Sequence, residues 1–169
     1  MSERLDYKAS CQKLNLDPIP PIPDRRPSYN DDEPLGFSFF RELVEGDYSN
    51  LTLPRTFFGR SEIREATFFN TDLKESTLCW NDFMEVDFGK AILSHSDLRA
   101  ALFENVSFAN CDLSFSDLRR SSFINCNFEG ANLKGAVLTK EMGKALTFSP
   151  SQRSQITWVD DDGPEPEGG

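Results

Sequence analysis

The side chains able to do chemistry in this 169-residue chain are few: one histidine (His95), four cysteines (Cys11, Cys79, Cys111 and Cys126), and aspartates set directly before leucines, as in Asp97-Leu98, Asp112-Leu113 and Asp117-Leu118. A zinc site needs cysteines and histidines at short ligand spacings. Here the cysteines lie 68, 32 and 15 residues apart and none pairs with His95 in a metal-type motif, so reduced thiols and no metal are expected. No glycine-rich phosphate loop, His-Glu metal motif or Gly-x-Ser-x-Gly elbow is present. His95 therefore reads as a surface histidine rather than a general base. Cys111 and Cys126 read as small hydrophobes, and Cys79 as an outward, incidental thiol. The recurrent aspartates read as surface groups that bond to nearby backbone rather than as acid–base pairs. The expectation is a non-catalytic protein without a cofactor.

Function must then lie in a surface. Eighteen Lys and Arg against 28 Asp and Glu leave a formal charge of −10, which argues against general affinity for nucleic acid or anionic membrane and toward a basic partner. No apolar run approaches the roughly 18 residues of a membrane span. The start, MSERLDYKASCQKLNLDPIPPIP, lacks a basic segment followed by an apolar one, so no secretory signal and a cytoplasmic location are expected. Fifteen Phe beside three Tyr and two Trp is an imbalance that the positioning elements must explain.

Those elements follow from an internal period. Every fifth residue from Leu53 through Phe58, Ile63 and Phe68 to Leu138 is Leu, Ile or Phe, and the residue two places before each is mostly small. Neither a 3.6-residue helix nor a period-two strand can put all of these on one side, so the chain must turn a corner every five residues. If four such sides close a square, one coil takes 20 residues. Taking every fourth pentad tests this. The sides read Leu53, Leu73, Leu93, Leu113, Leu133; then Phe58, Leu78, Leu98, Leu118, Leu138; then Ile63, Phe83, Phe103, Phe123; then Phe68, Phe88, Phe108, Phe128. Like stacks on like at one strand spacing, about 4.8 Å.

With Ser96-Asp97-Leu98, Cys111-Asp112-Leu113, Ser116-Asp117-Leu118 and Ala131-Asn132-Leu133, the stretch of about residues 46 to 140 resembles the pentapeptide-repeat family, whose unit is Ala-Asp/Asn-Leu-X-X. The resemblance implies an all-β fold, a right-handed quadrilateral β-helix of about 4.5 coils. The division expected is an extended Pro-rich segment over 1–30, an N-terminal cap over 31–46, the β-helix over 47–148, a C-terminal cap helix over 149–159 and an acidic flexible tail over 160–169. The N-terminal cap reads as a short amphipathic helix or turn. Ser149-Pro150-Ser151-Gln152 reads as a helix start, with Ser149 as N-cap, and Phe148, Ile156 and Trp158 are expected against the last coil. The Pro-rich segment reads as a polyproline connector, with docking as the alternative.

Sorting outward residues by side shows where a partner would bind. The side beginning at Ile63 carries Glu62, Glu65, Asp82, Glu85 and Glu104 against Arg64, whereas the preceding one is basic, with Arg60, Arg99, Arg119, Arg120 and Lys140. On or beside the acidic side lie Trp80, Met84, Leu102 and Ile124, apolar residues that the inward pattern does not explain. Apolar anchors within a carboxylate rim have the makeup of a protein-binding hot spot, so these nine residues form the candidate partner-binding site; the alternative is that they are ordinary scattered surface apolars and that Trp80 folds under a terminal segment. Phe57, Phe69 and Phe115 also read as outward-facing, for caps or a second copy in a homodimer. The leading expectation is an immunity or antitoxin-type inhibitor that neutralises a toxin, a nuclease being a natural target because its groove is basic. The alternative, implied by the resemblance, is a DNA mimic that binds DNA gyrase.

Overall fold

The computed structural model describes residues 3–28 and 36–168. They form helix α1 (Tyr7–Lys13), strands β1 (Ser38–Phe40), β2 (Leu43–Asp47), β3 (Phe57–Gly59), β4 (Glu62–Thr67), β5 (Asp82–Asp87), β6 (Leu102–Glu104), β7 (Ser122–Ile124) and β8 (Val137–Thr139), helices α2 (Lys140–Ala145) and α3 (Pro150–Gln155), and strand β9 (Thr157–Val159). The chain winds as a right-handed quadrilateral β-helix of about six turns. Four parallel ladders make its walls. One runs Thr52, Asp72, Ile92, Asp112, Asn132, and a second joins the β1–β3 and β8–β9 pairs through Phe57, Thr77, Asp97, Asp117 and Val137. The third is the five-stranded sheet β2-β4-β5-β6-β7, and the fourth includes Asp87, Ser107 and Asn127. Partners sit 20 residues apart, as in Ile63↔Phe83↔Phe103↔Phe123.

The inward columns hold the rod together. Of the eighteen period-five residues, all but half-buried Phe123 are buried. On the third wall Phe83, Phe103 and Phe123 stack with centroids 4.9 and 5.0 Å apart. On the fourth, Tyr48, Phe68, Phe88, Phe108 and Phe128 stack at 5.0–5.6 Å. Ring separations close to the strand spacing explain the phenylalanine excess: a flat ring on each coil fills the space between coils without a void.

The corners explain the rest of the pentad. Every fifth residue from Asn50 to Gly135 has positive φ, and only the last two, Gly130 and Gly135, are glycines. Before seven of these corners, Asp72, Asp87, Asp97, Asp112, Asp117, Asn127 or Asn132 accepts the N–H of the residue two positions on, at 2.7–3.2 Å. These aspartates are turn formers. The small register lines the inside of the bends, where Thr56 N–H donates to Ser76 Oγ and Ser76 N–H to Ser96 Oγ, both at 3.0 Å. Asn81, larger than its column-mates, is buried with its amide donating to the carbonyls of Phe58, Leu78 and Cys79.

The ends differ from the expected division. The rod has about six turns rather than 4.5 because both flanks add coil. Among the residues expected to be a helical or turn cap, 38–47 carry β1 and β2, which pair with β3 and β4; Phe39 and Val44 fill the inward columns, so burial favours strands. The start of that cap, 31–35, lies outside the described residues. The first coil's edge is instead covered by α1, inside the segment expected to be extended. Thr52 N–H donates to Ser10 Oγ (2.8 Å), Leu5 N–H to Asn50 O (2.8 Å), and Cys11 is buried. The Pro-rich stretch then docks on the second wall, where Thr77 Oγ1 donates to Pro27 O and Arg55 to Pro23 O, both at 2.6 Å. At the other end Ser149 and Gln152 form a reciprocal capping box on α3, and Gln152 also donates to the carbonyls of Phe128 and Ala131. Phe148 and Ile156 are buried on the last coil and Trp158 half-buried beside them.

Candidate functional site

The outer surface of the third wall is a flat parallel sheet whose side chains stand in columns. One column runs Leu43, Glu62, Asp82, Leu102, Ser122; another runs Arg64, Met84, Glu104, Ile124. At the corner beyond lie Glu65 and Glu85, both with positive φ. The period of two along each strand turns Ile63, Phe83 and Phe103 inward and these residues outward. Glu62 faces Asp82 across adjacent strands, a like-charge pairing that disfavours the sheet. The lone guanidinium, Arg64, bonds Glu45 (2.8 Å) and Glu62 (3.4 Å). These bonds, with the charge of Glu65 nearby, push its pKa further up. Among the described residues no ion pair engages Glu65, Asp82, Glu85 or Glu104. Ile124 is 50% exposed and Met84 and Leu102 half-exposed.

The structure thus gathers Glu62, Glu65, Asp82, Glu85, Glu104, Met84, Leu102 and Ile124 on one face and its far corner. Trp80 stands apart. It sits at the opposite corner, in a column with Arg60, Ala100 and Arg120, all at positive φ. A shallow hollow of about 360 Å³ between Trp80, Asp82, Leu102, Ala100 and Arg120 joins this corner to the sheet. The indole is half-buried and donates to Pro166 O at 3.4 Å, so the acidic tail, expected to be free, lies against the rod there. The sequence held a signal for this: residues 60, 120 and 140 are cations 20 or 60 apart on one corner, and the tail is acidic.

Two outward readings are corrected by coverage. Cys79 is 2% exposed rather than a surface thiol, because the docked N-terminal segment lies over the second wall; burial raises its pKa to about 12. Phe57 is buried against Phe40 and Gly59. Phe69 and Phe115 are exposed, with Lys90 over Phe69 and exposed His95 stacked on Phe115 at 5.1 Å. Among the described residues no three His, Cys, Asp or Glu side chains are grouped to hold a metal ion. Likewise, no helix is long and apolar enough to cross a membrane. The site offers charge, shape and apolar contact.

Comparison with known proteins bears on the architecture. The sequence matches the family described as pentapeptide repeats in eight copies, over residues 61–99 and 101–139. Its fold is similar to the crystal structure of HetL, a pentapeptide repeat protein involved in heterocyst differentiation regulation from the cyanobacterium Nostoc sp. strain PCC 7120, with TM-score 0.56 and 17% identity over 60% of this chain and 48% of that one. The chain therefore spans about half the length of HetL. The pentapeptide repeat protein Rfr23 from the cyanobacterium Cyanothece 51142 aligns at 15% identity and TM-score 0.42, over 73% of this chain and 88% of that one. QnrB1, a plasmid-mediated fluoroquinolone resistance protein, aligns at 13% identity and TM-score 0.30, over 73% and 92%. The last two superpose too loosely to carry an argument. No curated protein matches the sequence.

Proposed function

The chain belongs to the pentapeptide-repeat family, and on that premise we propose that it is a non-catalytic protein-binding module whose acidic third wall docks a basic protein. The observation that carries this reading is the set of carboxylates at Glu65, Asp82, Glu85 and Glu104, without ion-pair partners among the described residues, around Met84, Leu102 and Ile124 on one rigid sheet. Like charges stacked one strand apart weaken the fold and are useful when a partner supplies the counter-charge. Such a face steers encounter and raises the association rate by about 10- to 1,000-fold at low salt.

Size limits how the face is used. Five strands of up to six residues span about 20 by 20 Å, or about 400 Å². A stable interface takes about 800 Å² per partner, so the partner must also reach round a corner. The finer reading is an immunity-type inhibitor acting in the cytoplasm, which occupies the basic groove of a toxin such as a nuclease. Blocking a groove needs only a rigid complementary rod.

Full-length chain, wild type or carrying Glu65→Lys, Asp82→Lys and Glu85→Lys, is to be purified with its bound proteins from the producing cell. The expected outcome is a basic protein retained by wild type, lost from the triple variant, and harmful to cells unless the chain is co-expressed. A partner held equally by the triple variant would refute the face. A harmless partner, or gyrase subunits in its place, would refute the immunity role.

A further inference from the structure

Residues 160–168 run back along the corner that ends the second wall, antiparallel to the direction in which the coils stack, and meet it rung by rung. Lys140 Nζ pairs with Asp160 at 2.6 Å. The N–H of Arg120 donates to Asp162 Oδ1 (3.1 Å) and its guanidinium to Gly163 O (2.7 Å), with Glu165 at 3.9 Å. Trp80 Nε1 donates to Pro166 O, and Arg60 to Gly168 O at 2.9 Å. In each of these contacts the rod donates or is cationic and the tail accepts. Pro166 is buried.

Two features show that this corner is shaped for such a segment. Trp80 shares its positive φ with every corner residue from Asn50 to Gly135, but it is the large aromatic of a column otherwise made of Arg60, Ala100 and Arg120, and its indole is turned to the tail, donating to Pro166 O. Gly163 has φ +63°, which glycine adopts without strain, and a Cβ there would stand 2.5 Å from Arg119 Nη1, so a larger residue would displace that guanidinium. Small Ala100 between Trp80 and Arg120 leaves the hollow beside the tail.

We propose that the Arg60–Trp80–Arg120 corner is a recognition groove for an extended, acidic, proline-containing peptide, occupied in cis by residues 160–168. The contacts lie at the surface and are screened by salt. The tail holds its place mainly through tethering, at an effective concentration of order 1 mM. A free peptide with intrinsic Kd of about 100 µM is then weakened about tenfold by cis competition. The proposal is independent of the basic partner on the third wall, and its test uses no such partner.

The probe is a fluorescein-labelled peptide with the sequence of residues 159–169, its binding followed by anisotropy at low salt. It is titrated into full-length wild type and into a full-length chain whose tail is unseated by Asp160→Ser, Asp162→Ser and Glu165→Ser. These positions, like Arg60 and Arg120, lie outside the core, and thermal melts by circular dichroism check that folding is intact. The expected result is binding to the unseated chain at least about tenfold tighter than to wild type, abolished when Arg60→Glu and Arg120→Glu are added. A peptide with Pro166→Ala should bind several-fold more weakly. No binding to the unseated chain up to about 1 mM, equal binding to both chains, binding that survives the arginine reversals, or equal binding by the Pro166→Ala peptide would each overturn the proposal.

Discussion

Replacing Phe108 by alanine tests the stacked interior at its centre. The ring is fully buried, lies between Phe88 and Phe128 at 5.6 and 5.0 Å with interplanar angles of 11° and 8°, and meets Phe103 and Phe123 edge-on at 5.4 and 6.2 Å. Parallel ladders fix the coils above and below, so the walls cannot collapse into the void. Truncating a buried phenylalanine costs about 3–5 kcal/mol, and a site this rigid belongs at the upper end. For a chain of this size each kcal/mol lowers Tm by about 2–4 °C, so a fall of about 8–20 °C is expected. Urea melts followed by circular dichroism should show a lower midpoint with an unchanged slope. Phe123→Ala serves as the internal comparison: its ring is half-buried and should cost about half as much. A loss below about 1 kcal/mol for Phe108→Ala, or a greater loss at Phe123, would refute the dry ring column.

Gly135→Ala should destabilise by about 1–2 kcal/mol, because φ is +69° and the new Cβ would stand 2.5 Å from the Phe115 ring; Phe115→Ala should relieve the clash but not the backbone strain, which a double-mutant cycle separates. Ser149→Ala should cost about 0.5–2 kcal/mol in thermal melts by opening the α3 capping box. Cys79 stays protonated to about pH 12, against an ordinary value of 9.0. Below pH 9 both folded and unfolded thiols are neutral and this group adds no pH dependence; above it the unfolded state releases its proton first, so stability should fall toward pH 12 by up to about 1.4 kcal/mol per unit. Stability constant from pH 8 to 11 would contradict that burial, as would rapid maleimide labelling of Cys79 at pH 8.

The interior was legible in the sequence because the constraint that places it is local and repeated. Each coil offers Phe83, Phe103 and Phe123 the same cavity one strand spacing apart, so an inward residue is recognised by its column alone. The carboxylates and the apolar residues Met84, Leu102 and Ile124 were legible for the same reason, since a wall's outward positions follow once its inward ones are known. The strands at 38–47 were not: their register to the next coil shifts at a bulge between Val44 and Gly46, which takes Phe39 and Val44 out of the five-residue phase.

The sequence by itself determined the winding, the four inward columns and the sidedness of charge, because each depends on residues five or twenty apart under one repeated geometry. Tertiary structure alone decided which outward residues stay outward. Cys79 lies under the N-terminal segment and Trp80 under the C-terminal tail, at contacts separated by 50 residues for Thr77 with Pro27 and 86 for Trp80 with Pro166. Such docking is the sum of several weak, non-periodic contacts between a strap and a wall. The cations at 60, 120 and 140 and the acidic tail signal one such contact in the sequence, but the path of each strap, and which outward residues it covers, is set only when both partners are placed in space.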